Sequence, residues 1–260
     1  MQDLRVTLVQ SHLHWEDAAE NRALLSTRFK GLRGTTDLVV LPEMFTTGFT
    51  MRSAVLAEGM DGRTVAWMEE QARELDAALY GSVIIRENDR YYNRGLFVTP
   101  DGVVTTYDKR HLFRFAKETD HYTAGEKRVV VEWRGWRILL QICFDLRFPV
   151  FARNRGDYDA ALYVANWPEV RRYPWSQLLI ARAIENQSYV VGVNRVGQDG
   201  NGHLYSGDSA MVDARGTVHG MEPSCEGLLN VRFDRLALDD FRAKFPVATE
   251  ADAFVLKDVQ

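Results

Sequence analysis

Short apolar runs alternate along the chain with longer segments in which apolar positions recur every three or four residues. LRVTLVQ (residues 4–10) and DLVVLPE (37–43) read as strands, and the second is so nearly all apolar that it fits a strand covered on both faces. Between them, residues 16–33 place Ala19, Ala23, Leu24 and Phe29 in helical spacing and meet Gly31 and Gly34, the pattern of a helix with a glycine stop. Together these predict a βαβ unit. A second follows, with a helix over residues 64–78, rich in Ala, Glu, Gln, Arg and Leu, leading into the strand LYGSVII.

From Tyr91 the pattern changes to hairpins. YYNRGLFVTPDGVVTTYDK turns at Pro100-Asp101-Gly102, and RVVVEWRGWRILLQIC turns at Arg134-Gly135. Alternation of strand and helix resumes with ALYVANW (161–167), a helix over 175–186 and the strand YVVGVNRV. A last hairpin, LYSGDSAMVDARGTVHG, turns at Asp213 to Gly216 ahead of the strand LLNVRF. The chain carries no internal repeat, low-complexity segment or linker, so residues 1–260 are expected to form one α/β domain. The hairpins and the absence of G-x-G-x-x-G and P-loop motifs argue against a nucleotide-binding parallel sheet, and no cofactor is expected.

Composition narrows the function classes. Apolar residues at 46% and charged residues at 26% are ordinary for a folded globular chain. A formal net charge of -4 argues against general nucleic-acid binding, which needs a concentrated basic surface. The local cluster Lys109, Arg110, Arg114 and Lys117 suits a small anion better. No apolar run approaches the ~20 residues of a membrane span, and the first residues lack the features of a secretory signal, so a cytoplasmic location is expected. Two cysteines, Cys143 and Cys225, make no disulfide framework.

Three chemically capable residues stand at expected strand ends, where α/β sheets gather ligands: Glu43 after LVVLP, Lys109 after VVTTYD and Cys143 after ILLQI. A cysteine thiolate is a strong nucleophile near neutral pH once its proton is removed. Glu43 could take that proton and return it to a leaving amine. Lys109 and the backbone N–H of Phe144 could stabilise a tetrahedral oxyanion. Together these would hydrolyse an amide through a thioester. Each residue also has a purely structural reading, namely Cys143 as buried filler, Glu43 as a turn carboxylate and Lys109 as a solvated charge, and spacing alone does not choose.

LPEMFTTGF (41–49), YDKRHLF (107–113) and QICFDLRFP (141–149), in that order, resemble the nitrilase superfamily of carbon-nitrogen hydrolases over nearly the whole chain. The resemblance implies a four-layer αββα sandwich, assembled into a homodimer or larger homo-oligomer, with Glu43 as general base, Lys109 as oxyanion stabiliser and Cys143 as nucleophile. It also implies a second active-site glutamate seven residues ahead of a glycine, which Glu118 and Gly125 satisfy. EMFTTGF, CFDLRFPVFARN and ANWPEVR are most similar to the ω-amidase branch, whose substrates are 2-oxoglutaramate and 2-oxosuccinamate. Such substrates carry a distal carboxylate and require a cation or several N–H donors. Arg147 is one candidate, unless it pairs with Asp145, and Trp167 and Phe45 are candidate pocket walls.

Other readings are a different amidase of the superfamily, such as one acting on deaminated glutathione, or a catalytically silent binding protein on the same fold. A papain-like pair would need His111, His121 or His203 as base, and nothing around them matches that signature. His12 and His14 form H-x-H on one strand face, without the further ligands that a metal site needs. Cys225, among acids that would raise its pKa, reads as inert.

Overall fold

A computed structural model describes residues 2–256. The first of its two large sheets is built from β1 (Leu4–Gln10), β2 (Leu38–Val40), β3 (Ala78–Glu87), β4 (Arg90–Val98) and β5 (Val104–Asp108). The second contains β6 (Val130–Trp133), β7 (Trp136–Ile142), β8 (Ala160–Ala165) and β9 (Tyr189–Asn194). A two-stranded ribbon follows, β10 (Val196–Gln198) with β11 (Leu204–Ser206), and then β12 (Ala210–Val212), β13 (Val218–Gly220) and β14 (Gly227–Phe233). Strand order is β14-β1-β2-β3-β4-β5 in the first sheet and β13-β12-β9-β8-β7-β6 in the second. Each is a mixed six-stranded sheet, parallel at its centre and antiparallel at its edges.

The two-residue period of the strands sorts side chains into layers. Leu4, Val6 and Leu8 of β1, Leu38 and Val40 of β2 and Ala78 and Tyr80 of β3 face the second sheet, in one core with Ile138, Leu140, Leu162 and Val191. Val9, Val39 and Leu79 face the other way, against helices Ala18–Arg28 and Arg63–Leu75. Helix Arg172–Asn186 covers the second sheet, and helix Arg235–Lys244 packs on the same core through Leu238. The architecture is the expected four-layer αββα sandwich.

Local signals explain the boundaries. Asp17 caps helix Ala18–Arg28 by accepting from Glu20 N–H at 3.0 Å. Val65, Met68, Ala72 and Leu75 form the buried stripe of the second helix, which stops at Asp76 in the left-handed region. Arg134 (φ 48°) and Gly135 (φ 80°) make the two-residue turn between β6 and β7.

Several expectations change. The strand expected to reach Glu43 ends at Val40, and Glu43 lies in the turn beyond it. The helix expected over 16–33 is shorter at both ends, because Glu16 has φ 56° and Asp17 is the cap. LYS of the expected last hairpin instead pairs with β10, and the hairpin proper is β12–β13. Helix Arg235–Lys244, after β14, has no counterpart among the predicted elements. Among the described residues no helix is long and apolar enough to cross a membrane.

Candidate active site

The site lies where the carboxyl ends of strands from both sheets meet. From the first sheet come Glu43 beyond β2, Asn93 within β4 and Lys109 immediately after β5; from the second come Cys143 immediately after β7 and Asn166 immediately after β8. Cys143 adopts φ 47° where β7 breaks into the 3-10 turn Cys143–Arg147. A non-glycine residue in this region is held there by its surroundings at a cost of about 1–3 kcal/mol. Asp145 supplies the restraint. Its buried carboxylate accepts from Ile142 N–H (2.9 Å), Tyr107 Oη–H (2.7 Å) and His111 N–H (2.9 Å), tying the turn to the strand before it and to the opposite sheet.

Lys109 is the electrostatic centre. Its Nζ lies 2.7 Å from Glu43 Oε1 and 3.0 Å from both Glu118 oxygens, and all three side chains are sealed from solvent. Asn93 Nδ2 donates to Glu43 (2.8 Å) and Glu118 (3.1 Å), while its Oδ1 accepts from Ser82 Oγ at 2.8 Å. Glu43 Oε2 accepts from Asn166 N–H at 2.8 Å, a bond that crosses from one sheet to the other. Glu118 also accepts from Phe113 N–H. Every acceptor is thus aimed by a donor that is itself fixed.

This arrangement sets the protonation states. Burial acts to lower the Lys109 pKa, but Glu118 and Glu43 outweigh it and hold the ammonium protonated. Burial pushes Glu118 up, opposed by Lys109 and reinforced by Glu43. The Cys143 thiol is pushed well up by burial, and the Glu43 carboxylate adds to this more than Lys109 relieves it. The resting sulfur is therefore a thiol, and any attack by it requires a base that takes its proton. The carboxylate that acts most strongly upon it is Glu43.

Cys143 is 8% exposed, at the floor of a cleft of about 390 Å³. The walls are mostly apolar, with Phe49, Phe113, Phe144 and Trp167 among them. The N–H of Phe144 lies in the first turn of the 3-10 segment, where it has no acceptor within the helix and is available to an oxyanion. Sulfur, base, ammonium and free N–H are the parts that acyl transfer from an amide uses.

Along residues 5–242 the chain matches the family description of the carbon-nitrogen hydrolases. It belongs to that family. Omega-amidase YafV of Yersinia enterocolitica is 48% identical over 98% of this chain and 100% of its own length, and that of Escherichia coli K12 is 47% identical over the same shares. A 2-oxoglutaramate amidase of Bacillus subtilis is 32% identical over 81% of this chain and 83% of its own. Among solved structures, a superfamily member from Xanthomonas campestris with an arsenic adduct in its active site superposes with TM-score 0.97 at 48% identity, covering 99% of this chain and 100% of that one. This carbon-nitrogen hydrolase is an amide-hydrolysing enzyme.

The hydrolase brings Glu43, Lys109, Glu118 and Cys143 together, and Arg147, Trp167 and Phe144 line the cleft above them. Phe45 does not. Its ring turns into the core behind the first sheet, 5.8 Å from Trp67, and Phe49 stands at the cleft wall instead. Asp145 is committed to the turn and to His111 Nδ1 (2.8 Å), and Arg147 stacks over Trp167 at 5.1 Å rather than pairing with it. The basic cluster divides, since Lys109 is buried while Arg114 and Lys117 face solvent. Cys225 is exposed and lies outside the cleft. Among the described residues His12 and His14 belong to no group that could hold a metal.

Sequence reasoning missed Asn93 and Asn166. Asn166 follows ALYVA as Cys143 follows ILLQI, so the strand-end rule reaches it; Asn93 sits inside a strand, where only its buried partners reveal it.

Proposed function

We propose that the enzyme hydrolyses the terminal carboxamide of a small 2-oxo dicarboxylate monoamide, 2-oxosuccinamate or 2-oxoglutaramate, through a Cys143 thioester. The supporting observation is the sealed Glu43–Lys109–Glu118 cluster beneath Cys143 at the cleft. Cys143 Sγ attacks the amide carbon as Glu43 takes the thiol proton. Lys109 and the Phe144 N–H stabilise the tetrahedral oxyanion, each donor worth roughly 10²- to 10³-fold in rate. The C–N bond breaks as Glu43 returns the proton to nitrogen, and ammonia leaves. Water then attacks the thioester, its proton going to Glu43, and the C–S bond breaks as Glu43 passes that proton to sulfur, giving the carboxylic acid, the thiol and the free carboxylate of Glu43.

Glu118 acts in this scheme by holding Lys109 charged and directed. The relatives named ω-amidase and 2-oxoglutaramate amidase support the substrate class. Ammonia release from both 2-oxo amides is the test, with wild type and Cys143→Ala in parallel. Release by wild type alone is expected. Turnover by the Cys143→Ala protein would refute the nucleophile, and no release by wild type would turn the search to other short amides.

A further inference from the structure

The cleft carries two guanidinium groups that no carboxylate among the described residues pairs with. Arg147 lies over the Trp167 ring at 5.1 Å and Arg171 over the Phe113 ring at 5.3 Å, and each ring is itself part of the cleft wall. The next arginine along, Arg172, shows the ordinary alternative, an ion pair with Asp208 at 2.6 Å. Among the described residues neither Arg147 nor Arg171 has a carboxylate within ion-pairing distance.

Asp199 is the one carboxylate among the described residues lining the cleft, and its oxygens are occupied. It accepts from Asn201 N–H and His203 N–H at 2.9 Å each and from Tyr205 Oη–H at 2.8 Å. Lys109, the third cation of the cleft, is already matched by Glu43 and Glu118. The uncompensated positive charge therefore belongs to Arg147 and Arg171. Their placement also differs from that of flexible surface side chains. Arg147 closes the same 3-10 turn that Cys143 opens, and the backbone of Arg171 is fixed by Trp167 Nε1–H, which donates to its carbonyl at 2.7 Å. Each guanidinium lies over an aromatic face, and among the described residues none of its N–H groups donates a hydrogen bond, so these donors are free to meet a planar anion.

We infer that Arg147 and Arg171 form a two-armed clamp for the distal carboxylate of the substrate, selecting anionic amides over neutral ones of similar size. This rests on the reading of the site as an amidase of dicarboxylate monoamides and assigns its specificity to two named side chains. Trp167 links them, since one arginine stacks on its ring and the other receives its N–H.

Two measurements on wild type, Arg147→Gln, Arg171→Gln and Arg171→Lys test it. The first is the ratio of kcat/KM for 2-oxosuccinamate to that for the neutral amide butyramide. Each Gln variant should lower the ratio roughly 10- to 100-fold, as expected for losing a charge-assisted contact, and Arg171→Lys should recover part of it. The second needs no turnover: 2-oxoglutarate should shield Cys143 from alkylation by iodoacetamide in wild type, and the Gln variants should need at least about tenfold more for equal shielding. A ratio unchanged within about twofold, together with shielding equal in all four proteins or absent from wild type, overturns the clamp. If wild type releases no ammonia from 2-oxo amides yet shielding depends on both arginines, the substrate reading fails and the clamp stands.

Discussion

Replacing Lys109 with Met tests whether the sealed cluster is held by its central charge. Met fills a similar volume without the cation, so packing is nearly conserved and the change is electrostatic. In the native protein Nζ lies 2.7 Å from Glu43 and 3.0 Å from each Glu118 oxygen, with no solvent contact. The substitution leaves two buried carboxylates sharing the Asn93 amide and no counterion. Removing one member of a buried ion cluster costs about 3–5 kcal/mol. Against a total stability of about 5–15 kcal/mol, the variant stays folded near neutral pH but with much of its margin gone.

The pH dependence gives the sharper test. Lys109 has a raised folded pKa, so its contribution is fully present below its unfolded pKa of about 10.4 and does not vary between about pH 5 and pH 8. Glu118 is already raised by burial, and Lys109 is the largest influence opposing that rise. Without Lys109 its folded pKa moves further above the unfolded value of about 4.3. A carboxylate raised in this way favours the fold below its unfolded pKa, and that advantage is lost as pH rises through the folded pKa. The deficit relative to wild type must therefore grow with pH. Urea unfolding at about pH 8 should show a loss of about 3–5 kcal/mol, and at about pH 5 a smaller one; ammonia release should fall roughly 10²- to 10³-fold. A deficit equal at both pH values, or below about 1 kcal/mol at the higher, would refute the account.

Two further perturbations address the supports. A Cβ at Gly125 would lie 2.1 Å from the backbone oxygen of Asp108, beside the hydrogen bond from Gly125 N–H to Lys109 O. Gly125→Ala should cost about 1–3 kcal/mol in urea unfolding and lower kcat by about tenfold or more, because the strand end bearing Lys109 must move; native kcat would show that this contact does not position the lysine. Burial alone would raise the Asp159 pKa, but hydrogen bonds from Arg137, Arg235 and Arg242 outweigh it and hold the carboxyl well below its usual range. Such a group stabilises the fold above its unfolded pKa of about 3.9 and loses that effect as pH falls, so Asp159→Asn should cost about 3–5 kcal/mol near pH 7 and flatten the acid dependence of unfolding; an unchanged acid profile would contradict the assignment.

The alternation of strands and helices and the chemically loud part of the site are legible in the sequence because strand periodicity and strand ends carry them, whereas the four-layer arrangement follows from the resemblance of the motifs to the carbon-nitrogen hydrolases. Lys109 and Cys143 lie one residue beyond β5 and β7, where a charged residue or a cysteine after an apolar run stands out. The supporting amides were not legible. Asn93 looks like any polar position on a strand, and its role depends on partners 50 and 25 residues away. Phe45 misleads for a related reason. Met44, at φ 42°, reverses the chain directly after Glu43, so the next ring enters the core and the cleft is lined from Phe49 instead. The left-handed conformation of Cys143 depends on Asp145 and its contact with Tyr107 of the opposite sheet, which no local pattern encodes. The closing strand β14 reads clearly as a strand, but its place beside β1 is set by pairing across more than two hundred residues, Leu4 with Phe233.

Glu43 and Lys109 are carried by one sheet and Cys143 and Asn166 by the other, so no single β-ladder holds the proposed reacting groups, and the hydrogen bonds that join them cross between the sheets. Turnover consequently gauges how firmly two slabs are pressed together. A compact intermediate with both sheets formed but a loosened core between them would keep its far-ultraviolet signal and release no ammonia. Ammonia release during refolding would then mark the moment at which the slabs close, later than the appearance of secondary structure and coincident with the Asn166 to Glu43 bond.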